Sequence, residues 1–319
     1  MSAEPPAPPG PDSDDPAGAR YPNTARIWNY QLGGKDNYAV DRQASEAANA
    51  MVRALGVPDG ADSALESRHL LQRMVDYMLS QGVRQFLDLG SGLPSMANTH
   101  QIAHRAVADA RIVYVDIDPL VSTYAAALKA GPNVVALRAD LREPEQVLGN
   151  TQVRDLFDFG QPVGIMLMCV LHCLWDKEDP WGVVGQFRDV LAPGSYLALS
   201  HMTSEAHPEA AEGLFRMTQD LHWNTPLISR DRAGIARFFD GFTLVEPGLV
   251  PPAQWRPDLD DPLRDRQDPD GGGEPVLKLV SPGPPADNLG VGWHLCGVGI
   301  KTGPSQSLPG AGTGRCASG

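Results

Sequence analysis

The chain has 319 residues, enough for one large domain with appendages, and a hydrophobic fraction of 42% supplies a sizeable core. Its longest apolar stretch, Val163 to Trp175, is too short and too interrupted to span a bilayer, so no membrane partner is expected. With 39 acids against 26 bases and a formal charge of −13, the surface suits nucleic acid poorly, because phosphates call for clustered Lys and Arg.

Residues 1–20 are rich in Pro, Ala, Gly and Asp, with no basic start and no apolar segment, and read as a disordered tail rather than a secretory signal. A cytoplasmic location is the matching expectation. A helical cap is expected over 21–82: an aromatic, Gly-containing stretch, an Ala-rich helix from Asp41 to Leu55 stopped by Gly56 and Pro58, then a second helix. The capping box Ser63-Ala-Leu-Glu66 opens that second helix, and Leu70, Leu71, Met74, Val75, Met78 and Leu79 carry it to Gly82.

Over 83–302, short apolar runs at Gln85 to Leu89, Ile112 to Val115, Val134 to Leu137, Val163 to Val170 and Tyr196 to Leu199 alternate with helical segments. That alternation predicts an α/β fold, a doubly wound and mostly parallel sheet with helices on both faces. Asp118-Pro119 and Asp179-Pro180 each set an N-cap acid before a first-turn proline. Further helices are expected near Ser204 to Leu221 and Ser229 to Phe239, the latter capped by Ser229. Two late strands, Phe242 to Val250 and Trp293 to Lys301, bring the sheet to seven. Between them the acidic, Pro- and Gly-rich stretch 251–275 reads as a long surface loop, and 303–319 as a second disordered tail.

The most informative segment is Phe86-Leu-Asp88-Leu-Gly90-Ser91-Gly92-Leu-Pro94, an apolar strand running into a glycine turn. Such a turn lets a ligand press against the backbone and leaves helix N–H groups free for it. A dinucleotide fingerprint asks for a third glycine, and the position three after Gly92 is Ser95. The cysteines, Cys169, Cys173, Cys296 and Cys316, form no paired Cys-x-x-Cys knuckles and read as reduced thiols. A zinc set of Cys169, Cys173 and His172 has little support from metal-ligand spacing, and no metal is expected.

Asp88-x-Gly90-x-Gly92 resembles the first motif of class I S-adenosylmethionine-dependent methyltransferases, and Asp116 and Asp140 close the second and third strands in step with it. The resemblance implies a Rossmann-like seven-stranded sheet and S-adenosylmethionine as cofactor. It places Asp88, Gly90 and Gly92 around the methionine portion, Asp116 on the ribose and Asp140 with Leu141 around adenine, with Ser91, Ile117, Arg26 and Tyr38 as further cofactor-binding candidates. A carboxylate at Asp116 suits two ribose hydroxyls. Asp118, ahead of Pro119, reads as a helix cap before it reads as a contact. The stretch Ala25-Arg26-Ile-Trp28-Asn29-Tyr30-Gln-Leu-Gly33-Gly34-Lys35-Asp-Asn37-Tyr38 is similar, more narrowly, to a methyltransferase-like family known mainly as S-adenosyl methyltransferase or as a domain of unknown function. That likeness runs from about Pro22 to Lys301 and implies a cofactor but no acceptor.

Methyl transfer asks for in-line approach, and orientation alone is worth roughly 7–11 kcal/mol. A base is required only if the acceptor keeps its proton, and the candidates are His172, His201 and Tyr30, with a buried structural histidine as the other reading of His172. Arg26 and Lys35 are candidate partners for the cofactor's carboxylate. Trp28, Tyr30 and Tyr38 are candidate aromatic faces for its sulfonium, and Gly33-Gly34 is a turn or a hinge. A small-molecule acceptor is expected. Two other readings stay open at this point: an NAD-dependent oxidoreductase, weakened by the absent third glycine, and a non-catalytic S-adenosylmethionine-binding regulator.

Overall fold

The structure, a computed structural model, describes residues 20–93, 98–118, 131–257 and 293–303. All but Arg20 and Gly303 of the two expected tails, most of the 251–275 loop, Pro94, Ser95 and the helix expected after Asp118 lie outside the described residues.

Seven strands form one sheet: β1 (Gln85–Leu89), β2 (Arg111–Asp116), β3 (Val134–Arg138), β4 (Gly164–Met168), β5 (Tyr196–Met202), β6 (Thr243–Leu244) and β7 (His294–Ile300). Their order is β3-β2-β1-β4-β5-β7-β6. The first five are parallel, and β7 runs antiparallel to both neighbours. The chain steps outward from β1 to β2 and β3, then returns to lay β4 against the other side of β1. At such a reversal the connections leave in opposite directions and open a crevice beyond the carboxyl ends of the strands.

Alternation along the strands fills two cores. Leu87, Val113, Ile165 and Leu197 face helices α5 (Pro144–Leu148), α6 (Thr151–Leu156) and α7 (Pro180–Asp189). Phe86, Ile112, Met166 and Ala198 face α3 (Gly60–Ser80) and α4 (Thr99–Ala106). A third cluster joins α1 (Thr24–Gln31) and α2 (Ala39–Ala54) to α8 (Pro208–Asp220) through Ile27, Ala44, Ala48, Val52 and Leu214. Of the three N-terminal helices, α3 covers the sheet, while α1 and α2 pack on α8.

Several local expectations are corrected. Helix α3 starts at Gly60 rather than at the Ser63 capping box, because the Asp59 carboxylate already accepts from Ala61 N and Asp62 N. Helix α9 (Arg232–Ala236) is capped by Asp231, which accepts from Gly234 N at 2.7 Å, and not by Ser229. The fourth strand ends at Met168 instead of Val170, since Cys169 takes a left-handed φ of 55° and turns the chain into a short 3-10 helix. The sixth strand stops after Leu244, ahead of the cis Glu246–Pro247 bond and Gly248, whose φ is +85°. The start of the supposed surface loop is anchored: Trp255 is fully buried against α3, and Arg73 holds its carbonyl.

Candidate functional site

A cavity of about 840 Å³ opens at the crevice between β1 and β4. Asp88, Gly90, Ser91, Gly92, Asp116, Ile117, Asp140 and Leu141 all line it, so the three strand-end carboxylates share one space with the glycine turn.

The turn is held by the sheet. Gly90 N and Ser91 N donate to Val115 O, and Gly90 and Gly92 adopt φ of +70° and +66°. A Cβ at Gly90 would stand 2.2 Å from a Val170 methyl carbon, so the position demands glycine by contact as well as by dihedral. Among the described residues nothing stands within 4 Å of where a Cβ at Gly92 would be, which leaves a cradle for a ligand at the backbone. Ser91 Oγ is sealed from solvent and has no hydrogen-bond partner among the described residues.

Asp88 points, like Phe86, towards α3 and α4, where Thr99 Oγ1 donates to it at 2.6 Å. Burial is the main influence on its carboxyl and lifts it to about 6, against the opposing pull of Thr99 and the Arg68 charge. Asp116 is braced by Gly92 N on one oxygen and Asp118 N on the other, at 2.8 and 2.9 Å. Each oxygen keeps a further lone pair, the arrangement that two vicinal hydroxyl donors require. Burial raises this carboxyl too, more strongly than the backbone donors lower it. At Asp140 burial acts upward, but the Arg142 guanidinium, bonded to both oxygens, outweighs it and holds the carboxyl low. Arg142 also bonds Glu178, which makes an ionic rim along the adenine-side edge expected from the sequence.

The opposite wall comes from α1 (Thr24, Ala25, Trp28), from α3 (Ser67, Arg68, Leu71), from Cys169, Cys173 and Leu174 after β4, and from Trp223 to Pro226 after α8. The roof is clasped: Thr24 N donates to Asn224 Oδ1 at 2.8 Å, Asn224 N to Pro22 O, and the Thr24 and Thr225 hydroxyls meet at 2.7 Å. The indole N–H of buried Trp223 has no partner among the described residues.

Other expected residues lie elsewhere. Arg26 is buried in an ion pair with Asp41 at 2.8 Å and lies over the Tyr38 ring, and neither Arg26 nor Tyr38 is among the cavity-lining residues. Tyr30 donates its hydroxyl to Glu46 on the surface. Lys35 is exposed, and Gly33-Gly34 is a fixed turn: Gly34 N donates to Asn29 O, while Asn29 Oδ1 accepts from Asp36 N and Asn37 Nδ2. Only Trp28 of that aromatic set reaches the cavity. Asp118 accepts from Asn23 Nδ2, and its capping role falls on undescribed residues.

His172 and His201 sit behind the cavity wall, in edge-to-face contact at 5.6 Å. His201 Nδ1 donates to Met202 O and its Nε2 accepts from Arg230, so both ring nitrogens are committed. Burial pushes His201 down to about 3 and His172 in the same direction, which keeps both neutral. The histidine that does line the cavity is His222, whose Nδ1 donates to Gln219 O and leaves Nε2 open. It follows a helix in an irregular segment, where no periodicity signals it. Among the described residues no cluster of His, Cys, Asp and Glu is arranged to hold a metal ion, and no helix is long and apolar enough to cross a membrane.

The family profile described as S-adenosyl methyltransferase matches residues 13–273. The crystal structure of a candidate methyltransferase from Thermobifida fusca YX is 38% identical and superposes with a TM-score of 0.73, covering 92% of this chain and all of that one. A DUF574 family protein from Streptomyces avermitilis MA-4680 is 29% identical with a TM-score of 0.72, covering 89% of this chain and 98% of that one. No curated protein matches the chain.

Proposed function

Because the chain belongs to the S-adenosyl methyltransferase family, we propose that it transfers the methyl group of S-adenosylmethionine to a small, uncharged acceptor held beneath the roof formed by α1 and residues 222–226. The reading of the site rests on one observation above the others, the meeting of Asp88, Asp116, Asp140 and the glycine turn in one cavity at the sheet's reversal point. The unpartnered Ser91 hydroxyl, the open cradle at Gly92 and the two spare lone pairs of Asp116 suit an adenosyl group.

In this reading Asp88 faces the cofactor's ammonium, Asp116 accepts from both ribose hydroxyls, and Leu141 and Ile117 flank the adenine. Asp140 works through Arg142, which its carboxylate fixes in plane. When bound, S-adenosylmethionine supplies a methyl group activated on a sulfonium. The chain's part is to orient the acceptor and exclude water. Residues 21–82 act as the cap and 83–302 as the binding domain, with α3 serving both.

The acceptor class follows from the far wall. Trp28, Leu71, Leu174, Trp223 and Pro226 make it largely apolar, and the Thr24–Asn224 clasp closes it, whereas a nucleic acid needs an open basic groove. A cavity of about 840 Å³ leaves room for a second small molecule beside a nucleoside, within the roughly 300–1,000 Å³ usual for ligand sites. Where the acceptor holds its proton, His222 Nε2 is the group placed to take it.

The test is transfer of radiolabelled methyl from S-adenosylmethionine into fractionated cell extract by the purified protein. Label in the low-molecular-weight fraction is the expected result. Label confined to nucleic acid or protein would reject a small-molecule acceptor, and no label in any fraction would favour a non-catalytic binding protein.

A further inference from the structure

Four arginines are buried in the described residues: Arg26, Arg68, Arg73 and Arg230. Three are fully engaged. Arg26 pairs with Asp41, Arg73 with Glu66 and the carbonyls of Pro252 and Trp255, and Arg230 with Asp176, two backbone carbonyls and His201. Arg68 is the exception. It is 9% exposed, it lines the cavity, its Nε is sealed from solvent without a partner, and no described residue forms a hydrogen bond or ion pair with its guanidinium.

A guanidinium carries five donors and a permanent charge, so burying it without an acceptor is unfavourable unless something else supplies the anion. The helix explains why Arg68 is held there nonetheless. Leu71, Val75 and Met78 of α3 lock into the sheet core, and one turn earlier the same helix presents Arg68 to the cavity edge beside Asp88 and Gly90. Its charge acts on Asp88, yet the two groups stop short of an ion pair. The wall therefore offers one unpaired positive group and one buried negative group side by side. A lone anion would satisfy Arg68 but meet repulsion from Asp88, whereas an α-amino acid brings an ammonium and a carboxylate on the same carbon and suits both.

We propose that Arg68 receives the carboxylate of the bound cofactor's amino-acid end, so that Arg68 and Asp88 together form a two-point site for a zwitterion. The inference rests on the reading of the cavity as an S-adenosylmethionine site. It assigns to α3 the role for which Arg26 and Lys35 are the sequence candidates, and it makes Arg68 a determinant of cofactor selectivity. Planar, bidentate contact with a carboxylate is the geometry a guanidinium serves best.

The test is calorimetric titration of the wild-type protein and Arg68→Met with S-adenosylmethionine and with decarboxylated S-adenosylmethionine, which keeps the sulfonium and the amine. The wild type is expected to prefer the carboxylated form by at least about tenfold, and Arg68→Met to lose that preference while binding the decarboxylated form about as well as before. Thermal melting without ligand checks the fold: Met fills a similar volume without a buried charge, so the variant is expected to melt no lower than wild type. Should it not fold, Arg68→Lys, which keeps the charge but not the fork, is expected to retain only part of the preference. A preference that survives intact in either variant, or an equal loss for both ligands, overturns the proposal. Wild-type protein that binds both ligands equally overturns the proposal alone, and wild-type protein that binds neither overturns the cofactor reading with it.

Discussion

Asp88 is a carboxylate kept dry, and that has a measurable consequence for binding. Burial pushes its carboxyl up to about 6, and in the proposed complex the cofactor's ammonium beside it is expected to favour the charged form and lower it. Binding is therefore expected to release a proton near pH 6. The affinity for S-adenosylhomocysteine is expected to be flat above about pH 7 and to fall by up to about tenfold per pH unit below 6. Calorimetry across pH 5 to 8 checks this, and Asp88→Asn is expected to bind weakly with that limb of the profile flattened. The residues legible in the sequence share a feature: Asp88, Gly90, Asp116 and Asp140 sit at strand ends, where an apolar run stops and its last polar residue must stand at the sheet edge. Arg68 and His222 escape that logic. Arg68 lies on a helix whose apolar stripe predicts the core contacts of its neighbours but not the space left beside them, and His222 belongs to a turn set by tertiary contact.

At the scale of elements, the aromatic and glycine motif near the N-terminus shows how residue types suggestive of a ligand serve a fold. Arg26 is aimed at Asp41, Asn29 staples the Gly34 to Asn37 turn, and Tyr38 N donates to Asp41 Oδ2 at the head of α2. Those contacts lock α1 to α2 and so hold Trp28 and Thr24 over the cavity. Removing the anion strips the Arg26 guanidinium, on a residue only 3% exposed, of the carboxylate that its Nε bonds at 2.8 Å. Asp41→Ala is accordingly expected to destabilise the protein by about 3–5 kcal/mol in urea titration, with a loosened roof seen as faster release of S-adenosylhomocysteine. An unchanged midpoint would show the pair to be dispensable. The starts of α3 and α9 were hidden from the sequence for a related reason, since Asp59 and Asp231 compete as caps with Ser63 and Ser229, and only backbone geometry decides between them.

For the whole molecule, strand alternation in composition was enough to foresee a doubly wound sheet, because parallel strands buried on both faces must be apolar and must be joined by helices. The order β3-β2-β1-β4-β5-β7-β6 then puts the reversal at the β1–β4 boundary and the cavity directly above it. The proposed small-molecule acceptor is in keeping with the net charge of −13 and the largely apolar far wall. The central claim is that strand-end acids on this sheet hold an adenosyl nucleoside, with Asp116 on its ribose. Titration of S-adenosylhomocysteine into wild type and Asp116→Ala tests it most directly. Saturable one-site binding by the wild type, weakened by about tenfold or more in Asp116→Ala, is the predicted result. Absence of saturable binding, or identical affinity in the two proteins, would contradict the account.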